Sequence, residues 1–175
     1  IEDYLRYVRD SPREVGTLYK ELLIGVTNFF RDPEGWEVLR QHVVPEVLRS
    51  AGPGGSVRAW VAACSTGEEA YSLAMLFAEG MDAVGLRCDV KVFATDIDKD
   101  AIEYAGAGVY PESIAADLAP ERLGRFFVRM GDRYQVSRAL RETVVFATQN
   151  LAKDPPFTRM DVVTCRNLLI YFQAP

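Results

Sequence analysis

The sequence predicts an α/β domain with a mostly parallel sheet and helices on both faces, preceded by a small helical region. Three observations predict it. Short apolar runs of strand length occur at 57–62, 90–95, 144–148 and 161–165. Helix-patterned segments alternate with these strands, which is the pattern of parallel sheets joined by crossover helices. A breaker run, Ala51-Gly52-Pro53-Gly54-Gly55-Ser56, separates this region from what precedes it. Residues 1–50 therefore read as a helical region and linker, and 51–175 as the sheet domain.

In order along the chain, residues 1–9 read as the end of a helix, with Tyr4, Leu5 and Val8 at helical spacing. Ser11-Pro12 looks like a cap and restart, so a second helix is expected over 12–22. Asp32-Pro33 opens a third, with Trp36, Leu39 and Val43 on one face, running to 48 despite Pro45. After the break come a strand at 57–62 and a helix at 67–79 with Leu73, Leu76 and Phe77 facing in. A strand at 90–95 and a helix at 98–105 follow. Further on lie a helix at 120–128, strands at 134–136 and 144–148, and a strand at 161–165. Arg166-Asn167 then turns into the start of a helix. Right-handed crossovers place all parallel strand ends on one edge, where ligands bind in such sheets.

Composition narrows the function. The apolar fraction of 49% is enough for a core. No stretch reaches the ~20 apolar residues of a membrane span. The first residues, Ile1-Glu2-Asp3-Tyr4, have neither a basic start nor an apolar signal core and lack the initiating Met, so the chain reads as a piece of a longer one. A net charge of −5 disfavours a duplex nucleic-acid partner. Cys64, Cys88 and Cys165 lack metal-ligand spacing and read as free thiols of a cytoplasmic protein. The single histidine, His42, reads as a helix-surface residue, and no metal is expected.

The strongest local signal is Val61-Ala62-Ala63-Cys64-Ser65-Thr66-Gly67-Glu68-Glu69, a strand that passes through small residues into a helix. Small side chains let a ligand approach the backbone. Two glutamates in the first helical turn suit the helix dipole but would repel a pyrophosphate. A cationic ligand with ribose hydroxyls, such as S-adenosylmethionine, fits better; a simple capped helix start is the alternative. Asp96, at the end of the second strand, stands where α/β cofactor domains hold ribose hydroxyls, and Asp98 reads as the cap of the next helix. Gln149-Asn150-Leu151 and Cys165-Arg166-Asn167 end two further strands on the same edge, as ligand contacts or as turn residues. Val26-Thr27-Asn28-Phe29-Phe30-Arg31-Asp32 could be core plus a surface charge, or a lid over the site.

Thr27-Asn28-Phe29-Phe30-Arg31, Cys64-Ser65-Thr66-Gly67-Glu68-Glu69, Ala94-Thr95-Asp96-Ile97-Asp98, Gln149-Asn150-Leu151 and Cys165-Arg166-Asn167-Leu168-Leu169-Ile170-Tyr171-Phe172 resemble, in order and spacing, the CheR-type chemotaxis receptor methyltransferases. The resemblance implies a Rossmann-like class I methyltransferase fold with three αβα layers. It implies methyl transfer from S-adenosylmethionine to receptor glutamates, leaving S-adenosylhomocysteine. It further implies that Thr27, Arg31, Ala62, Glu68, Asp96, Asn150, Leu151, Arg166 and Asn167 line the cofactor site. By that likeness Asp96 holds the ribose, Glu68 the amino-acid end and Asn150-Leu151 the adenine side. Arg31 is the candidate for orienting the substrate carboxylate.

The sequence departs from the family at Gly25, where asparagine is common, and at Ala70, where proline is usual. The family also continues beyond Pro175 with a helix and final strands, so an incomplete sheet with an open apolar edge is expected. Some relatives carry a glycine-rich antiparallel insert that adds a receptor's C-terminal peptide as a strand. Met130-Gly131-Asp132-Arg133-Tyr134 is short, so the partners expected are chemoreceptor cytoplasmic domains without that tether. Arg122, Arg125 and Arg129 form either a solvated face or a contact for an acidic receptor helix. Asp154-Pro155-Pro156-Phe157 is similar to a DNA amino-methyltransferase motif but stands before its strand rather than after it, and reads as a loop. A non-catalytic cofactor-binding module of a signalling protein, and a methyltransferase for another substrate, are the competing readings.

Overall fold

The computed structural model describes residues 2–11, 14–15 and 27–171. Of the expected helix over 12–22 only Glu14 and Val15 are described; both are helical, and Ser11 Oγ accepts from Glu14 N–H as a cap does. The departure at Gly25 lies outside the described residues. Among the described residues helix α1 (Glu2–Asp10) comes first. Further along, α2 (Pro33–Val38), a π-helical turn (Leu39–Val43) and α3 (Val44–Ala51) run on from one another without a break. Proline has no N–H for the turn before it and its ring crowds the preceding carbonyls, and the widened turn just ahead of Pro45 absorbs both. His42 is exposed in that turn.

The sheet domain starts with β1 (Ser56–Ala62), then α4 (Glu68–Val84), β2 (Asp89–Asp96) and α5 (Lys99–Ala107). Asp98 caps α5 as expected, accepting from the N–H groups of Asp100 and Ala101. β3 (Val109–Pro111), a 3-10 turn (Glu112–Ala116), α6 (Pro120–Phe126), β4 (Phe127–Met130), β5 (Arg133–Val136) and α7 (Arg138–Arg141) follow. β6 (Val144–Thr148), β7 (Val162–Thr164) and a 3-10 turn (Leu169–Tyr171) complete the described chain.

The main sheet has the order β6-β2-β1-β7, with every pair parallel. One face, Val57, Ala59, Val61, Val90, Val92 and Ala94, is almost wholly buried. Tyr71 of α4 meets Phe146 on that face, and Ala105 of α5 lies beside Phe146 and Gly67. Among the described residues the other face is covered by the segment between β6 and β7, where Phe157 packs on Trp60 and Phe93. Val145 and Val163 stay exposed beside it. This is the loop role expected for the Asp154-Pro155-Pro156-Phe157 segment.

A second sheet, β3-β5-β4, is antiparallel. It corrects the expected helix over 120–128, which stops at Phe126. Phe127 pairs with Val136 and packs edge-on against Phe29, so tertiary contacts override the helical pattern. Gly131 and Asp132 close the β4–β5 hairpin in two residues.

Arg122 and Arg125 do not form a free basic face. Arg122 makes a bidentate pair with Glu79 at 2.8 Å per bond, Arg125 pairs with Asp82, and Arg129 pairs with Glu112. The three cysteines are free thiols, with Cys64 buried. Among the described residues no helix is long and apolar enough to cross a membrane.

Candidate active site

The site grows from the carboxyl edge of the parallel sheet. β1 ends at the buried Ala62, opposite Thr95. The backbone then takes left-handed conformations at Ala63 (φ 60°) and Ser65 (φ 48°) before Gly67 (φ 95°). Such conformations persist only where the surroundings impose them. Here Cys64 N–H donates to the Thr95 carbonyl at 2.9 Å and Ser65 N–H to Asp96 Oδ2 at 2.8 Å. A side chain at Gly67 would place its Cβ 2.8 Å from Ala105 Cβ and 3.1 Å from the Tyr110 hydroxyl. Glycine is therefore required there by packing as well as by conformation.

Asp96 holds both ends of this edge. Its Oδ1 accepts from Asp98 N–H at 3.0 Å, while Oδ2 serves the β1 loop. A carboxylate oxygen has two lone pairs, so each oxygen keeps acceptor capacity for a hydroxyl.

The two glutamates at the start of α4 face different surroundings. Glu68 is 8% exposed and accepts from Thr66 Oγ1 at 2.7 Å. Burial raises its pKa, opposed by the Thr66 bond. Its charge is felt at Tyr104 and Tyr110, whose hydroxyls burial chiefly pushes up. The Tyr110 hydroxyl donates to the Thr66 carbonyl, tying the second sheet to the loop. Glu69 lies toward β7, where its Oε1 accepts from Thr164 Oγ1 at 2.7 Å and Oε2 is 4.0 Å from Arg166 Nη1. Burial raises its pKa too, opposed by Thr164, Arg166 and Arg31.

Residues 27–32 form a strap bound to this edge. Thr27 is half-buried and opens it. Phe29 is buried against Tyr110 and Phe127, with ring centroids 5.0 and 5.4 Å away. Phe30 packs on Trp36 and carries the Arg122 guanidinium 3.9 Å above its ring. Its N–H donates to Ser72 Oγ, and Ser72 donates to the Glu68 carbonyl. Phe30 and Asp32 are left-handed, at φ 51° and 56°. The Arg31 carbonyl accepts from Trp36 Nε1 at 2.8 Å and from Arg166 Nη2 at 2.7 Å. The same Nη2 is 2.7 Å from Asp32 Oδ2, and the guanidinium lies over the Trp36 ring.

Asn150 and Asn167 sit at the same edge and also act as turn residues. Asn150 Oδ1 accepts from Ala152 N–H, and its backbone N–H donates to Asp154. Leu151 lies half-buried in that turn. Gln149 N–H donates to the Asp96 carbonyl, and its Nε2 holds the Pro155 carbonyl. The buried Gln149 Oε1 has no protein partner. Asn167 is left-handed at φ 55°.

The structure thus brings Arg31, Ala62, Glu68, Asp96, Asn150, Arg166 and Asn167 to one edge, with Thr27 and Leu151 on its flanking segments. The Arg166 guanidinium is occupied in holding the strap. Glu69, Ser72, Trp36, Thr164 and Tyr110 are organising residues that sequence reasoning did not assign. Ser72, a hydroxyl inside the apolar face of α4, was the available signal. The acids at the strand ends suit a ligand with hydroxyl and cationic groups, and the orphaned Gln149 Oε1 suits an amine donor beside Asn150. Those features fit S-adenosylmethionine.

Comparison with known proteins agrees with this chemistry. Residues 25–175 match the family described as CheR methyltransferase, SAM binding domain. A probable chemotaxis protein methyltransferase of Rhizobium etli is 37% identical over 163 residues, covering 90% of this chain and 60% of the relative. Chemotaxis protein methyltransferase 1 of Pseudomonas aeruginosa is 40% identical over 153 residues, covering 85% of this chain and 56% of the relative. An uncharacterised 104.1 kDa protein of Rhodobacter capsulatus is 46% identical over 173 residues, which are 99% of this chain and 18% of that protein. The chain thus spans less than two thirds of each of these relatives.

Proposed function

Because the chain belongs to the CheR methyltransferase family, with S-adenosylmethionine as its cofactor, we propose that it transfers a methyl group to glutamate side chains of chemoreceptors. The observation that carries the reading is Asp96, whose two oxygens bind the β1 and β2 loops together and still keep lone pairs able to accept from hydroxyl donors. By this reading Asp96 holds the ribose, Glu68 the cationic amino-acid end, and Asn150-Leu151 the adenine side. Arg166 and Asn167 close the edge, and Thr27 and Arg31 roof it.

The cofactor supplies an activated methyl group on a sulfonium. A glutamate acceptor is already ionised near neutral pH, its ordinary pKa being about 4.3, so no general base is needed. The reaction removes a positive and a negative charge together. Its transition state is less charged than its reactants, and a site that excludes water favours it. The strap provides that exclusion with the buried Phe29 and Phe30, while Arg31 orients the acceptor carboxylate. The two-residue β4–β5 turn supports receptor engagement without a C-terminal peptide tether. Receptors lacking their tail are then methylated as well as intact ones.

Two measurements test the reading. Calorimetric titration with S-adenosylhomocysteine should show binding that Asp96→Asn weakens about 10–100-fold, the effect of losing charged hydrogen bonds. A labelled-methyl assay on receptor cytoplasmic fragments should give a product cleaved by mild base, as an ester is. A base-resistant product would mean a different acceptor. Binding without transfer would favour a non-catalytic module, a reading that the large Rhodobacter relative makes worth testing.

A further inference from the structure

We propose that Glu69 is a positioning residue for cofactor binding: anchored by Thr164, it fixes Arg166, which in turn fixes the Arg31 peptide of the strap. The proposal rests on the methyltransferase reading of the site and adds to it a route by which β7 and the strap are held in register.

The route is continuous. Thr164 Oγ1 donates to Glu69 Oε1 at 2.7 Å, and Glu69 Oε2 lies 4.0 Å from Arg166 Nη1. Arg166 Nη2 then donates to the Arg31 carbonyl at 2.7 Å. The Glu69 side chain is only 14% exposed, so its charge is poorly screened and acts mainly on the cations beside it. Those are Arg166 and Arg31, the two cations that, with the Thr164 hydrogen bond, oppose its pKa rise. Arg166 has a second anion, Asp32, but that carboxylate is 66% exposed and solvated. Glu69 is thus the interior post against which the guanidinium is set. The indole N–H of Trp36 supplies the second donor to the Arg31 carbonyl and its ring supplies the platform for Arg166. Two donors on one carbonyl fix the orientation of that peptide, and with it the start of the Arg31 side chain.

The test uses the intact protein. Glu69→Gln keeps the shape of the side chain and an acceptor for Thr164 but removes the charge. Thr164→Val removes the hydroxyl at nearly constant shape. Each is measured for S-adenosylhomocysteine affinity by calorimetry on samples shown to be folded by circular dichroism. Glu69→Gln should raise the dissociation constant about tenfold or more, as small misplacements in a preorganised site do. Thr164→Val should raise it in the same direction by less. Glu69→Gln added to Arg166→Gln should weaken binding no further than Arg166→Gln alone, because the first acts through the second. Under turnover, KM for S-adenosylmethionine should rise, whereas partial unfolding would lower kcat alone. Unchanged affinity in Glu69→Gln, or additive losses in the double variant, overturns the proposal. If Glu69→Gln does not fold, Thr164→Val decides by the same criterion. Failure of the wild-type protein to bind the cofactor would instead overturn the methyltransferase reading.

Discussion

Ser72 Oγ accepts the Phe30 N–H at 3.1 Å, and the same hydroxyl donates to the Glu68 carbonyl at 2.7 Å. One buried hydroxyl thereby joins the strap to the first turn of the helix that carries both site glutamates. Ser72→Ala should leave the Phe30 N–H without an acceptor and cost about 1–3 kcal/mol. Urea denaturation measures the loss. Cofactor affinity should fall as well, because the strap is loosened from Glu68.

Gly67 is the tightest backbone position in the site loop. Gly67→Ala combines a φ of 95° with a Cβ 2.8 Å from Ala105 Cβ. The expected destabilisation is about 1–3 kcal/mol, from strain and overpacking together. Because the displaced atoms belong to α5 and to the second sheet, chemical shifts of Ala105 and Tyr110 should move more than those of the β7 end.

Stability should depend on pH through Glu68. Burial raises its pKa in the folded protein above the ordinary 4.5. Between those two values the folded state binds more protons than the unfolded one, so stability falls as pH rises through the window. Below 4.5 the penalty is absent; above the folded pKa it is complete. Glu68→Gln removes this titration while keeping an acceptor for Thr66. The melting temperature of the variant minus that of the wild type should therefore increase as pH is raised from about 4.5. A difference that stays flat with pH would contradict the assignment.

The arginines of α6 should matter for stability and little for partners. Arg122, one quarter exposed, is doubly bonded to Glu79 and stacked on Phe30, so Arg122→Ala should cost about 1–3 kcal/mol. Arg125 is half exposed and Arg125→Ala should cost less than about 1 kcal/mol. Binding of receptor fragments at two salt concentrations should be unchanged in the Arg125 variant, since Asp82 already neutralises that charge.

The parallel sheet was legible because its strands are short, mostly apolar runs, the first ones separated by helices, as burial of one face demands. The strand at Val144–Thr148 has the bounds its pattern implied. The antiparallel sheet was not legible. Its strands are short, Val128 and Met130 of β4 are apolar yet exposed, and Phe127 continues a helical pattern until Phe29 and Val136 claim it. The strand-end acids and asparagines could be read as a set because crossover handedness places them on one edge. The clasp on the Arg31 carbonyl could not, since it joins residues 31, 36, 69, 164 and 166 through contacts that no local pattern encodes. The left-handed Ala63 and Ser65 were equally invisible, for their conformation is imposed by Thr95 and Asp96.

The two tryptophans of the chain have separate packing partners, Phe30 for Trp36 and Phe157 for Trp60. Trp36 lies under the strap with its N–H on the Arg31 carbonyl, and Trp60 lies beneath Phe157 with its N–H on Thr95. Each therefore reports on a different event by its own emission. Release of the strap exposes the Trp36 indole to water and beside Arg166, whereas lifting the 149–161 segment exposes Trp60 alone. Single-tryptophan versions would turn the intrinsic fluorescence of the protein into separate optical gauges of roof opening and of cover on the second face of the sheet.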